Sequence, residues 1–158
     1  MSAQKTLLLI VTLRFVMGGF WFAHSHDKWD WPNTAELQRR LQRYSENGSG
    51  LEKAYVENIA LPNWKILQYL VIFGELAVGL SFLTGIFTRA AAVGGAFMAL
   101  NFLLAQGSLI SSDIVGNPYG PVLIMATIVA AYGGGESHWS LSAWLACKKG
   151  PAASEQGA

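Results

Sequence analysis

Charged and apolar residues follow one another along this chain in long blocks. Between Thr6 and Ser25 the only charged side chain is Arg14, between Ile66 and Thr88 only Glu75, and between Ala90 and Gly135 only Asp113. A helix crossing the hydrocarbon core of a bilayer needs about 20 mostly apolar residues. The pattern therefore predicts four spans, over 5–25, 65–86, 89–108 and 117–135. Each is apolar all round, whereas a helix of a soluble domain keeps a charged outer face. The expected fold is all-α, a four-helix transmembrane bundle forming one domain over 1–146. Lys5 ahead of TLLLIV, with Ala23 and Ser25 beyond, is the pattern of a cleaved leader. Arg14 interrupts that apolar run and favours a retained first span.

Between the first two spans lies a long polar stretch, 26–64, expected to be a structured outer loop. Asn33 and Glu36 have the spacing of a reciprocal helix cap, and Leu37, Leu41 and Tyr44 share one helical face. Asn47-Gly48 is a stop signal, so the spacing predicts an amphipathic helix over 34–47, lying on the membrane or on the mouth of the bundle. A second short helix in SGLEKAYVENIALPNW would close before Pro62. The short link TGIFTRAA makes spans two and three an antiparallel hairpin, and Asn117-Pro118 with Gly120-Pro121 marks a turn before span four. The tail over 147–158 reads as disordered.

Composition adds little beyond this pattern: 52% of the 158 residues are hydrophobic, 13% are charged, and the formal net charge is +1. Nothing in that balance suggests a nucleic-acid partner. The single Cys147 excludes an internal disulfide. Lys5, Arg89, Lys148 and Lys149 lie close to span ends on one side, whereas the bases of the long loop are offset by its acids. The expected protein is a multi-pass protein of a prokaryotic inner membrane, with both termini cytoplasmic and the long loop outside. Trp21, Trp29, Trp31 and Trp64 at the loop side and Trp139 and Trp144 at the other read as an aromatic belt. Ala77, Ser81 and Gly85, with Ala91, Gly95 and Ala99, read as stripes of close helix packing.

Ionisable residues inside a bilayer are costly and usually pair or mark a pathway. Arg14 and Glu75 each fall near the middle of their antiparallel spans, so they are expected to meet as a pair. Such a pair is either a structural tie or a proton-linked, ligand-orienting site. In the second reading Arg14 and Glu75 are the catalytic candidates. Trp21, Gln68, Phe82 and Asn101 are the cofactor contacts, with Gly18, Ser25, Gly79 and Thr127 nearby. His24 and His138 sit at opposite membrane faces, and His26 is too near His24 to oppose it, so no haem or metal is expected. A redox role would use a mobile cofactor such as quinone.

These motifs resemble the DoxX/DoxD family, small prokaryotic four-span membrane proteins that include the small subunit of thiosulfate:quinone oxidoreductase. Span one carries Arg14, Gly18, Trp21 and Lys28 at the family's spacing, and GELAVGLSFLTGIFTR supplies Glu75, Gly79, Gly85, Thr88 and Arg89. WSLSAWL is similar to the family's closing segment, with Ser142 where an Asp is common and Glu136 where a base is common. Ser25 replaces a usual glycine. The resemblance covers 1–28 and 64–145 and leaves the outer loop unmatched. It implies a quinone-interacting subunit in or beside an electron-transfer system, with lipid around it and other membrane or soluble subunits as partners. Two other function classes stand beside it: a non-catalytic accessory subunit of a larger respiratory or photosynthetic complex, and a small-solute or proton transporter.

Overall fold

Every regular element among the described residues is helical. The structure, a computed structural model, describes residues 3–109, 114–133, 140, 141 and 144. The tail over 147–158 lies outside these residues, as do Asp113, Glu136, His138, Trp139 and Ser142. Helix α1 runs Ala3–His26, followed by a single turn, α2, at Trp31–Thr34 and by α3 at Glu36–Asn47. Helix α4, Gly50–Tyr55, continues directly into a π turn at Val56–Ala60, which the Leu61 N–H closes on the Val56 carbonyl at 2.8 Å. Three apolar helices complete the chain: α5 at Trp64–Thr84, α6 at Thr88–Ala105 and α7 at Tyr119–Tyr132.

Three segments are long and apolar enough to cross a membrane: Gln4–Thr34, which contains all of α1 but its first residue, together with α5 and α6. Helix α7 is equally apolar but has 14 residues, short of the roughly 20 that a span along the bilayer normal requires. α1 packs on α5 and α6 on α7, and α5 with α6 and α1 with α7 close the ring. Met17, Trp21, Val78, Phe82, Ala99, Leu103, Val122, Ala126 and Val129 fill its centre. Leu8, Val16, Ile66, Phe73, Val93 and Ile124 point outward, exposed. An apolar exterior around an apolar core belongs in lipid, not water.

Close approach of α1 and α5 sets their register. A β-carbon on Gly79 would lie 2.8 Å from the Phe22 nitrogen, and one on Gly18 would lie 2.9 Å from the Leu83 side chain. Glycine is required at position 79, because the obstructing atom is backbone and cannot swing away. Of the small residues read as packing stripes, Ala91, Gly95 and Ala99 do face inward, and Gly85 is buried. Ala77, however, points outward, and Gly79 makes the contact assigned to its stripe.

The segment between α1 and α5 folds over one end of the ring as a cap. Trp31, Leu37, Leu41, Val56 and Ala60 form a second core that rests on Ile72 of α5, with Tyr44 packed against it. The Leu37–Leu41–Tyr44 face thus covers the mouth of the bundle. The helix does not begin as the capping motif suggests. Asn33 sits inside α2 and makes no cap, and the chain enters α3 through Ala35 at φ 51°. The backbone reverses there by a left-handed residue, so no side chain at position 33 is aimed at the first amides of α3. Glu36 instead faces Arg39, Arg40 and Arg43 along the helix surface.

The Arg40 hydrogen bond, aided by Arg39 and Arg43, holds the Glu36 carboxyl below its ordinary value of 4.5. A carboxyl lowered on folding stabilises the folded state above its unfolded pKa, and that contribution disappears as pH falls through the folded value. Acidification below about pH 4.5 should therefore loosen α3, seen as faster amide exchange over 36–47, and Glu36→Gln should remove the pH dependence.

Candidate functional site

Glu75 is fully buried on α5, and its partner is Lys28, not Arg14. The Lys28 ammonium donates to both carboxylate oxygens, at 2.8 and 2.7 Å, and to the His24 carbonyl at 3.1 Å. Lys28 follows the last residue of α1 by one short turn, and its side chain reaches back along the bundle with its apolar stem covered. Both glycine contacts between α1 and α5 join positions whose numbers add to 101, which places Arg14 level with about residue 87. Arg14 is thus roughly twelve residues, about 18 Å, along the axis from Glu75. A β-carbon built on Gly85 would lie 2.9 Å from Arg14 Nη1 and against Ser140, and the Arg14 guanidinium lies over the Phe15 ring. The expected Arg14–Glu75 pair does not form, because the midpoints of the two apolar runs are not at the same depth.

A cavity of about 470 Å³ opens between the cap, α5 and α6. Lys28 and Tyr119 reach it from the bundle side, and Trp31, Leu37, Arg40, Tyr44 and Tyr55 from the cap. Leu70 on α5 and Phe97 on α6 form its lateral edge, and Ile59 of the π turn stands beside them. These three are 61%, 67% and 53% exposed, and Leu70 and Phe97 continue the outward stripes of Phe73 and Val93. The mouth therefore faces the lipid side of the bundle.

Some polar groups of this apolar enclosure are tied to one another, whereas the lining Tyr44 and Tyr119 hydroxyls make no hydrogen bond among the described residues. The Tyr55 hydroxyl donates to Asn101 Oδ1 at 2.7 Å, joining the cap to α6, and Asn101 Nδ2 donates to the Phe97 carbonyl at 2.7 Å. Asn117 Nδ2 donates to Gln106 Oε1 at 2.8 Å. The Arg40 guanidinium lies over the Trp31 ring, 5.4 Å from its centroid, and Lys28 stands the same distance from that ring. Burial raises the Tyr55 hydroxyl above its ordinary value, so it remains a proton donor at neutral pH.

A family model described as DoxX matches residues 9–106. The chain belongs to the DoxX family. No curated protein and no solved structure matches it. The DoxX match contains α2 to α6 and most of α1, and with them Lys28, Tyr55, Glu75, Asn101 and Gln106; Tyr119 lies beyond it.

Of the sequence-predicted site residues of this DoxX protein, Asn101 lines the cavity, and Glu75 stands behind its lining residue Lys28. Trp21 and Phe82 are buried in the central core, Trp21 against Gly95 and 6.3 Å from the Tyr119 ring. Gln68 is buried on α5, and its Oε1 has no hydrogen-bond partner among the described residues. Thr127 is exposed and bonded to its own helix at Leu123, so it does not join the group. Ser25 is bonded to Phe22 in the same way. Trp21 and Trp31 are core residues, whereas Trp29 and Trp144 are exposed as belt residues are. Sequence reasoning assigned no site role to Lys28, Tyr55, Gln106 or Tyr119. Only Lys28 left a signal, as the base that ends the span-one motif.

Proposed function

We propose that this DoxX protein is a quinone-interacting integral membrane subunit of an electron-transfer system of the thiosulfate:quinone oxidoreductase kind. The observation that carries the reading is the cavity: apolar and aromatic, within the size range of small-molecule sites, open toward lipid between Leu70 and Phe97, with a buried ion pair at its base. A quinone supplies the two-electron redox chemistry when bound. The chain's own groups then have separable tasks. Trp31, Tyr44, Phe102 and Tyr119 enclose the ring and exclude water, and Asn101, held by Tyr55, orients an oxygen. Lys28 and Glu75 hold a proton next to the site, Lys28 at the wall and Glu75 behind it.

In this reading α7 is the fourth span of the bundle, its shortness accommodated at the cap side, and the protein lies in a prokaryotic inner membrane with the cap outside. The pairing of Lys28 with Glu75 supports that orientation, because it removes one of the few bases near a span end on the cap side from the charge balance. Exposed Trp29 and Leu51 on the cap favour a second reading, an accessory subunit docked against a larger respiratory or photosynthetic complex. Mass measurement after gentle extraction separates the two, since an accessory subunit should emerge with its partner.

The direct test is to extract and assay quinone from gently purified protein and to measure donor-dependent quinone reduction in membranes. Near-stoichiometric quinone is expected. Glu75→Gln should slow reduction at least roughly tenfold at matched amounts of folded protein. Protein that retains no quinone, with reduction indifferent to Glu75→Gln, would defeat the proposal.

A further inference from the structure

Tyr119, the first residue of α7, is 8% exposed, and what is left uncovered of it lines the cavity. Its ring is held on several sides: centroids lie 4.5 Å from Phe102, 5.9 Å from Phe20 and His24, and 6.3 Å from Trp21. Its main chain is pinned as well. The Tyr119 N–H donates to Asn117 Oδ1 at 3.0 Å, while Asn117 Nδ2 donates to Gln106 and Ser108. The Tyr119 hydroxyl, by contrast, makes no hydrogen bond among the described residues. Buried tyrosine hydroxyls normally have a partner. Trp21 Nε1 also lacks one, but it is sealed among packed atoms, whereas Tyr119 stands on a wall that a ligand can reach. Tyr44 offers a second unbonded hydroxyl from the cap, but it is only half-buried and no ring is stacked against it among the described residues.

We propose, building on the quinone reading above, that Tyr119 is a ligand-binding residue of this cavity: its hydroxyl hydrogen-bonds a ring oxygen of the quinone and sets where the head group rests. A tyrosine hydroxyl both donates and accepts, so it meets a carbonyl or a hydroxyl oxygen alike. The surrounding rings and the Asn117 bond fix the phenol before a ligand arrives, so little freedom is lost on binding. The contact also has a definite place. The Phe102 ring lies 4.5 Å from the Tyr119 ring and 6.0 Å from the Lys28 ammonium, so a head group on Tyr119 lies at the end of the cavity nearest the Lys28–Glu75 pair. From there the tail runs toward the mouth between Leu70 and Phe97.

The test uses the full chain in lipid nanodiscs. Binding of a decyl-tailed benzoquinone is read by quenching of tryptophan fluorescence, and binding of decylbenzene, its oxygen-free counterpart, by displacement of that quinone. Tyr119→Phe keeps the ring and its neighbours and should unfold at the same temperature as the parent protein. It should bind the quinone about tenfold more weakly, the ordinary worth of one hydrogen bond, and hold decylbenzene as before. A merely structural role of Tyr119 would move both ligands together. A marked fall in the unfolding temperature would mean that the hydroxyl already serves the fold, and it overturns the inference. Unchanged quinone affinity in Tyr119→Phe, or an equal loss for both ligands, also overturns it and leaves the quinone site standing. Quinone that does not bind the unaltered protein overturns both.

Discussion

Lys28→Met or Glu75→Leu alone is expected to destabilise the protein by about 3–5 kcal/mol, whereas the double variant should cost far less than the two together. Each single change leaves one charge in a place without water: Glu75 is fully buried and Lys28 is 6% exposed. Removing both charges also removes their desolvation cost, and an apolar pair of similar volume can replace an ion pair with little loss. Reversible unfolding in mixed micelles reads the cycle directly. Costs that simply add would mean that the two residues do not interact. Arg14→Ala and Glu75→Ala provide the contrasting pair. About 18 Å apart along the axis, they should combine additively to within about 0.5 kcal/mol.

Gly79→Leu should be the most damaging change at the helix interfaces, with a loss above 3 kcal/mol or no recoverable folded protein. Overpacking alone typically costs about 1–3 kcal/mol when side chains can adjust. Here the first atom met is the Phe22 backbone nitrogen, and the Gly18 carbonyl follows at 3.3 Å, so α1 must move as a whole. Gly94→Ala is the control on α6. Its β-carbon would meet only a Val78 methyl at 3.9 Å, ordinary contact. That variant should be neutral or more stable by up to about 1 kcal/mol, the usual advantage of alanine over glycine inside a helix. A Gly79→Leu variant as stable as the parent protein would show that α1 and α5 are not held in this register.

The apolar blocks and the cap's buried stripe were legible because both depend on periodicity within one segment. Leu37 and Leu41 face the bundle for the reason their spacing suggests, and α3 stops at Asn47 before Gly48. Depth between segments was not legible in the same way. Aligning the centres of two apolar runs paired Arg14 with Glu75, but the register depends on where two backbones can touch, and that place is marked by Gly18 and Gly79. Lys28 was counted as a loop charge because it follows the apolar run, although a lysine side chain is long enough to return into it. The cavity was harder still. Its defining contact joins Tyr55 to Asn101 across 46 positions and depends on the cap folding back. No local pattern records that contact, and so Asn101 was found only as a polar residue inside an apolar helix.

The π turn at Val56–Ala60 carries a consequence for related chains. It amounts to one residue more than a regular helix would use, and one residue is about 100° of rotation. Val56 and Ala60 face the cap's core while Tyr55, just before them, addresses Asn101. A relative lacking a single residue here would keep the same hydropathy profile, the same apolar spans and an equally good amphipathic cap. Its tyrosine, however, would point elsewhere. Chains that look alike in every coarse respect can therefore differ in whether the cap holds the asparagine of the chamber beneath it, and the length of this one segment distinguishes them.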